Sequence, residues 1–397
     1  MIIGIVKENA PSENRVALIP QALQELKKEG MEAIVESGAG VPAGYEDRDY
    51  EAMGAQMVPD RASVFRKAEV IVSVAMAGAN PQSAPGDLEL LEKQHTVLSL
   101  LEPLFLPDET ERLAATGATA FAMELIPRIS RAQYMDVLSS MASIAGYKAV
   151  LLAADALPRL FPMMMTAAGT IPPAKVLVIG AGVAGLQAIA TAKRLGAMVS
   201  GYDVRPSVKE QVESVGGKFV ELDLETADAK EEGMYAKEQS EAQIQRQQEL
   251  MAQVVAQSDA VITTAAVPGK KSPVIVTEAM IRAMTPGSVI VDLAAERGGN
   301  CELSQAGEVV EVHGIKIIAP LNLPATVSHQ ASKMFSKNVT NFLLNLVKGG
   351  AVKLDMNDEI IREALVCRDG QIVHPKLRQI KGLPPLEIAP VSERGEE

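Results

Sequence analysis

Lys175-Val-Leu-Val-Ile179 runs straight into Gly180-Ala181-Gly182-Val183-Ala184-Gly185, and Asp203 closes the next apolar stretch, Ala197-Met-Val-Ser-Gly-Tyr-Asp203. This order predicts strand, glycine turn, helix, strand and carboxylate, the arrangement of a dinucleotide-binding βαβ unit. Gly180 permits the tight turn, Gly182 lets backbone approach a pyrophosphate, and Gly185 lets the helix lie close on the sheet. Val183 and Ala184 open a helix whose first N–H groups and dipole favour an anion. Asp203 stands 18 residues past Gly185 (203 − 185), near the spacing of a carboxylate that takes ribose hydroxyls. Such a carboxylate accepts from a 2′-hydroxyl and repels a 2′-phosphate. Val204 and Arg205 follow it; Arg205 has the chemistry to bind a phosphate, but the retained Asp203 favours NAD(H) over NADP(H).

Working outward, the chain of 397 residues is longer than one hydrophobic core usually serves, so two domains are expected. A net charge of −12 speaks against nucleic-acid binding and gives no support for adhesion to anionic lipid. Cys301 and Cys367 stand far apart and provide no disulfide framework, which suggests a reducing compartment. Met1-Ile-Ile-Gly-Ile-Val-Lys7 reads directly as a strand, so no leader peptide is expected. The richest apolar stretch, residues 151–171, is interrupted by Asp155, Arg159 and two prolines, so direct membrane insertion is not expected.

Apolar runs at 2–6, 31–36, 69–74, 96–101 and 118–123 alternate with amphipathic segments. So do those at 175–179, 197–203, 218–222, 259–265, 288–293 and 315–319. The fold class expected is α/β, with two doubly wound Rossmann-like domains. Ser130-Arg-Ala-Gln133 reads as a capping box opening a helix to about Leu157, and a second long helix is expected from Ser328 to about Val347. These would carry the chain between domains, leaving the cofactor in the interdomain cleft. The expected organisation is a discontinuous first domain, 1–135 plus 326–380, around a nucleotide domain, 136–325. Residues 223–240 are acidic and loop-like, suited to a mobile lid or to a solvated connection. Met163-Met-Met165 reads as packing filler. Residues 381–397 read as a flexible tail.

Histidine is scarce, at 95, 313, 329 and 374, and none stands at metal-ligand spacing from another or from a cysteine, so no metal is expected. Nothing pairs a hydrolytic nucleophile with a base. What remains is hydride transfer, in which a nicotinamide supplies the bond chemistry and the protein supplies position and electrostatics. Arg128, Gln133, Asp136 and Ser139 cluster near the start of the first long helix and could clasp a carboxamide-bearing ring. A capping box, a dipole-neutralising Asp and a surface ion pair would explain the same residues structurally. Thr263-Thr264-Ala265-Ala266-Val267-Pro268-Gly269 and Asp292-Leu-Ala-Ala-Glu-Arg-Gly-Gly-Asn300-Cys301 each follow an expected strand, where loops line a cofactor crevice. Ordinary turn chemistry is the alternative for both.

Arg128-Ile-Ser-Arg-Ala-Gln133, Asp136, Ser139-Ser140, Met164-Met-Thr-Ala-Ala-Gly169, Pro172-Pro173, Gly180 to Gly185, Tyr235-Ala-Lys237 and Gly298-Gly-Asn-Cys301 together resemble the proton-translocating nicotinamide nucleotide transhydrogenases. The match is to their peripheral NAD(H)-binding component, domain I, over essentially all of residues 1–380. The resemblance implies a homodimer that passes hydride from NADH to NADP⁺ on a partner, domain III. A membrane-spanning partner, domain II, would couple the exchange to proton movement and hold this chain at the cytoplasmic membrane face. It also implies that Arg128, Gln133, Asp136 and Ser139 steer the nicotinamide, that Asp203 holds the adenosine ribose, and that Tyr235 closes a lid.

Looser similarity extends to alanine dehydrogenase, which binds its keto acid through an Arg and a Lys and uses a His as acid/base. Arg15 matches the Arg, but Ser73 and Glu102 stand where the Lys and His belong. Deamination needs a group titrating near neutrality and a carboxylate clamp. Hydride exchange between two nicotinamides needs only their apposition. An amino-acid dehydrogenase and a non-catalytic NAD(H) sensor remain the alternatives.

Overall fold

The computed structural model describes residues 1–221, 241–266 and 269–386, with side chains undescribed for 241–247. The lid expected at 223–240, Tyr235, Pro268 and the tail from 387 lie outside the described residues. The chain divides into two compact units, Met1–Met141 with the chain from Pro324 on, and Ala142–Leu323.

Every run expected to be a strand is one, because each is short, apolar and bounded by turn residues. In the first unit the spatial order is Gln371–Ile372, Leu365–Arg368, Thr119–Ala122, Thr96–Leu100, Val70–Ala75, Ile2–Ile5, Glu32–Glu36, Gln56–Val58. The last six pair in parallel, and the two strands contributed from beyond residue 364 add antiparallel. Val70–Ala75 is buried throughout, as a strand covered on both faces must be. In the second unit the order is Lys218–Phe219, Met198–Tyr202, Lys175–Ile179, Ala260–Thr263, Val289–Asp292, Ile315–Ile318, Val309–Val312. Only the last pair is antiparallel. Both sheets reverse strand order beside their first strand, and the carboxyl ends flanking that reversal are where doubly wound folds bind ligands.

Side chains along Lys175–Ile179 alternate between two cores. Val176 and Val178 pack with Ala149, Val150 and Ala153 of one helix and Ala188, Ile189 and Ala192 of another. Leu177 and Ile179 pack on the opposite face with Met251 and Val255. The three-residue strand Gln56–Val58 and the edge strand Val309–Val312 escape the sequence pattern because short or half-exposed strands carry little apolar signal.

The first long helix departs from expectation at its start. Ser130–Met135 forms a 3₁₀ segment, and the α-helix begins only at Val137 and ends at Ala156. Asp136, extended at φ −73° and ψ 92°, accepts from the Ser139 N–H (2.8 Å) and Ser139 hydroxyl (2.6 Å). Asp136, rather than Ser130, therefore caps the helix, and the capping box does not form. The second long helix runs Ser328–Leu346, within the first unit.

Among the described residues, Val137–Ala156 is the one helix long and apolar enough to cross a membrane by length and composition. It carries Lys148 and Asp155, and its Ala149, Val150 and Ala153 are fully buried against the second sheet, as in a core helix. A Cβ on its Gly146 would lie 2.1 Å from the Ala184 carbonyl oxygen, so glycine there admits the fingerprint helix to close contact.

Candidate functional site

Gly180 takes φ +97°, and a Cβ on it would fall 2.6 Å from Thr264 Oγ1. A Cβ on Gly185 would fall 1.7 Å from the Gly180 carbonyl oxygen, so only glycine lets the helix Val183–Arg194 reach this turn. Gly182 caps that helix and differs from both, since among the described residues nothing lies within 4 Å of a Cβ built on it. Leu186 N makes the first bond into the helix, to the Gly182 carbonyl (2.9 Å). The amides of Val183, Ala184 and Gly185 consequently have no intrahelical acceptor and point out of the helix end. A pyrophosphate fits this cradle: among the described residues, space over Gly182 and N–H donors without an intrahelical acceptor, at the positive end of a dipole.

Asp203 follows the strand Met198–Tyr202 and turns back over the glycine turn. Its Oδ2 accepts from the Ala181 N–H (2.8 Å), and its Oδ1 accepts from the Arg205 N–H (2.9 Å). The Arg205 guanidinium grips both oxygens, Nε to Oδ1 at 2.9 Å and Nη2 to Oδ2 at 3.0 Å. Partial burial opposes its charge, but these donors outweigh burial and hold the Asp203 carboxyl below the usual carboxylate range. Val204, beside it, is exposed.

Across the strand-order reversal, the Thr264 hydroxyl donates to the Gly180 carbonyl (3.1 Å), tying the second loop to the first. Ala265 is fastened by Asn300, whose Oδ1 accepts from Ala265 N (2.9 Å) and whose Nδ2 donates to the carbonyls of Ala265 and Pro273 (both 2.8 Å). Asn300 is fully buried, so it shapes the loop carrying the half-buried Ala265 and exposed Ala266. Behind Asn300 stands a residue to which the sequence pattern assigns no role of its own. Asp292 is fully buried at the end of Val289–Asp292 and its carboxylate takes five donors. Oδ1 accepts from Thr263 Oγ1 (2.9 Å) and Ala294 N (3.0 Å). Oδ2 accepts from Asn300 N (2.9 Å), Cys301 N (3.0 Å) and Ser304 Oγ (2.7 Å). The available signal is an Asp ending an apolar strand, since Asp is rarely fully buried unless its oxygens are partnered.

Arg128, Gln133, Asp136 and Ser139 lie in the first unit. Burial of Ala132 and Met135 anchors their segment, and Asn338 and Asn341 both donate to the Tyr134 carbonyl (2.9 Å each). Arg131 adds a two-pronged ion pair with Asp358. On this fixed segment Arg128 and Gln133 are exposed, and neither side chain has a hydrogen-bond or ion-pair partner among the described residues. A surface ion pair therefore does not account for Arg128. Asp136 and Ser139 are half-buried and engaged with each other in the helix cap.

The positions that match alanine dehydrogenase's substrate residues are differently arranged. Arg15 is buried and bonded by Nε (2.8 Å) and Nη2 (2.6 Å) to the two oxygens of Glu13. The Ser73 hydroxyl donates to the Ser99 hydroxyl (2.9 Å), both fully buried, and Glu102 adopts a left-handed backbone at φ +51°. No group of three or more His, Cys, Asp or Glu side chains suited to a metal occurs among the described residues.

Comparison with known proteins agrees with this geometry. Residues 4–145 match the family "Alanine dehydrogenase/PNT, N-terminal domain", and residues 149–375 match "Alanine dehydrogenase/PNT, C-terminal domain". The chain is 47% identical over 380 residues to an NAD(P) transhydrogenase subunit alpha chain of Rhodospirillum rubrum, covering 95% of this chain and 99% of that protein. A solved transhydrogenase from Sinorhizobium meliloti superposes with a TM-score of 0.81 at 41% identity, over 95% of this chain and 100% of that one. The alanine dehydrogenase of Bacillus subtilis is more distant, 28% identical over 384 residues, covering 94% of this chain and 93% of that enzyme. The chain belongs to the alanine dehydrogenase/PNT family, on the side of the transhydrogenase alpha subunits.

Proposed function

We propose that this chain is the NAD(H)-binding component of an NAD(P) transhydrogenase, passing hydride from NADH to NADP⁺ held by a partner. The observation that carries the reading is the intact cradle at Gly180–Gly185, closed by Asp203, in a chain of which 95% is matched by a transhydrogenase alpha subunit. When bound, the dinucleotide supplies the hydride chemistry through its nicotinamide ring. The chain's residues bind and orient it. The amides at 183–185 and Gly182 hold the pyrophosphate, Asp203 takes the adenosine ribose, and the loop Thr264–Ala266, with Pro268 beyond the described residues, lines the crevice. Arg128 and Gln133 offer unengaged donors to the carboxamide, while Asp136 and Ser139 fix the segment that presents them. Tyr235 closes the lid at 223–240. No residue has to give or take a proton, since hydride exchange between two nicotinamides needs only apposition.

The domain bounds that accompany this reading are 1–135 with 326–380, 136–325 for the nucleotide, and 381–397 as a flexible tail. The NADP(H) and membrane-spanning parts are separate partners, and the latter places the chain at the cytoplasmic membrane face. We also propose a homodimer. The two-stranded hairpin Met164–Thr166 with Gly169–Ile171 stands outside both main sheets and is exposed along its length, with Met163 59% and Met165 73% exposed. An isolated hairpin is marginal in water unless its apolar residues are covered. Replacing Met164 and Met165 by lysine is expected to lower the molar mass measured by light scattering from two chains to one. An unchanged mass would remove the hairpin from the interface.

The test of function is to mix the purified chain with an NADP⁺-loaded partner domain and NADH, following nucleotide exchange. Gln133→Ala is expected to slow that exchange at least tenfold while changing NADH affinity less than threefold, because it removes orientation rather than the main anchors (about 1.4 kcal/mol per tenfold). No exchange with wild type, or NADH oxidation driven instead by pyruvate and ammonia, would reject the reading. The buried Ser73–Ser99 bond argues against the amino-acid dehydrogenase.

A further inference from the structure

The helix Ser328–Leu346 turns Asn338, Asn341 and Asn345 to one side, since helix positions three and four apart share a face. All three use the amide nitrogen as donor, and all act within the first unit. Asn338 and Asn341 donate to the Tyr134 carbonyl at 2.9 Å each, and Asn345 donates to Asp358 Oδ2 at 2.9 Å. Asp358 in turn holds the Arg131 guanidinium with both oxygens and caps the next helix through Ile360 N (2.9 Å). The segment that carries Gln133 is therefore gripped on both sides of that residue, at Arg131 and at Tyr134. Two donors on one carbonyl use both its lone pairs, which fixes the plane of the peptide as well as its place. Asn338 is 5% exposed, and its own Oδ1 is buried with no partner among the described residues. A buried acceptor left unpaired costs stability and offsets what the donor of the same amide gains. Asn338 is thus a poor stabiliser, and its hold on the Tyr134 carbonyl calls for another reason.

We propose that Asn338 and Asn341 are positioning residues for hydride exchange, orienting the peptide beside Gln133 so that its unengaged amide meets the nicotinamide. The proposal rests on the role given to Gln133 above. The Gln133 side chain is exposed and makes no hydrogen bond among the described residues, so its aim comes from the backbone that carries it. That backbone is set by two asparagines more than 200 residues further along the chain, 204 and 207 positions from Tyr134. Hydride transfer is steeply sensitive to such aim, since a misplacement of about 1 Å can cost on the order of a hundredfold in rate. Loss of one asparagine leaves the other donor on the carbonyl, whereas loss of both frees the peptide to turn.

Exchange between NADH and an NADP⁺-loaded partner domain is measured at saturating NADH for wild type, Asn338→Ala, Asn341→Ala and the double variant of the full chain. NADH affinity and the urea midpoint are measured in parallel. Each single variant is expected to slow exchange about threefold and the double variant about tenfold, with NADH affinity changed less than about twofold. The Asn338→Ala midpoint should move by less than about 0.3 M, because the replacement removes an unpaired acceptor along with a donor. On a Gln133→Ala background the same two replacements should slow exchange less than about twofold, since the group they aim is gone. Asn341→Gln, which keeps an amide donor, should recover most of the rate lost in Asn341→Ala. A folded double variant that exchanges at the wild-type rate overturns the proposal, as does an undiminished tenfold loss on the Gln133→Ala background. If the double variant does not fold, each single variant combined with Gln133→Ala makes the same comparison. Wild type that binds NADH but passes no hydride to the partner would instead reject the functional reading and take this inference down with it.

Discussion

Asp292→Asn is expected to destabilise the second unit by about 2–4 kcal/mol and to weaken NADH binding at least tenfold. An amide keeps one acceptor oxygen and replaces the other by a donor. If the nitrogen takes the Oδ2 place it faces the N–H groups of Asn300 and Cys301, and if it takes the Oδ1 place it faces Ala294 N–H. The hydroxyls of Thr263 and Ser304 can rotate and accept, but a backbone N–H cannot, so either orientation buries at least one opposed donor pair. The nearby glycine leaves little slack, since a Cβ on Gly299, at φ +80°, would stand 2.8 Å from Asp292 Oδ2. Affinity follows because Asn300, held by Asp292, is what fastens Ala265. Ser304→Ala is the control: it removes one hydroxyl donor and leaves both carboxylate oxygens partnered, so about 1 kcal/mol is expected. Denaturant unfolding and NADH titration check both variants. An Asp292→Asn chain as stable as wild type would mean that the five-donor network does not organise these loops.

The contrast between Asp203 and Asp292 shows which features a sequence makes legible. Asp203 announces itself through spacing from a glycine turn, a local pattern written in one short stretch. Asp292 draws its donors from residues 263 to 304, and no local period encodes that convergence. The sheets are legible for the same reason as Asp203, since strands such as Val70–Ala75 are continuous apolar runs between turn residues. The start of the helix at Val137 is not, because two signals compete. Ser130 with Gln133 has the residue types of a capping box, but Asp136 is a strong cap closer to the apolar run and engages Ser139 twice. The same competition blurs Asp136 as a candidate ligand: its carboxylate serves the helix, which leaves Arg128 and Gln133 as the unengaged groups of that cluster. Met163–Met165 reads as packing filler because methionine is usually core, whereas its exposure is a property of tertiary placement.

Glu124→Gln is expected to raise stability at pH 8 by on the order of 2 kcal/mol while leaving it nearly unchanged at pH 4.5. Glu124 Oε1 accepts from the N–H groups of Leu101 (2.8 Å) and Glu102 (2.6 Å), while Oε2 is shielded from solvent and has no hydrogen-bond partner among the described residues. Desolvation of the carboxyl pushes its pKa from 4.5 to about 7, with the charge of Glu102 adding to the rise and the backbone donors only partly opposing it. The folded chain therefore binds this proton more tightly than the unfolded chain. Its contribution to stability is complete below pH 4.5 and is lost as pH rises to about 7. Glutamine keeps the accepting oxygen and places an uncharged amide where Oε2 had no partner, so it stays in the favourable neutral state at every pH. Glu8 shares the sign, its pKa raised to about 8 by desolvation, but both its oxygens accept, from Val74 N (2.6 Å) and Ala75 N (3.2 Å). An amide there would oppose donor to donor, so Glu8→Gln should not give the same gain. Denaturant unfolding of wild type and Glu124→Gln from pH 4.5 to 8 checks this. Parallel curves for the two would show that Glu124 titrates alike in the folded and unfolded chains.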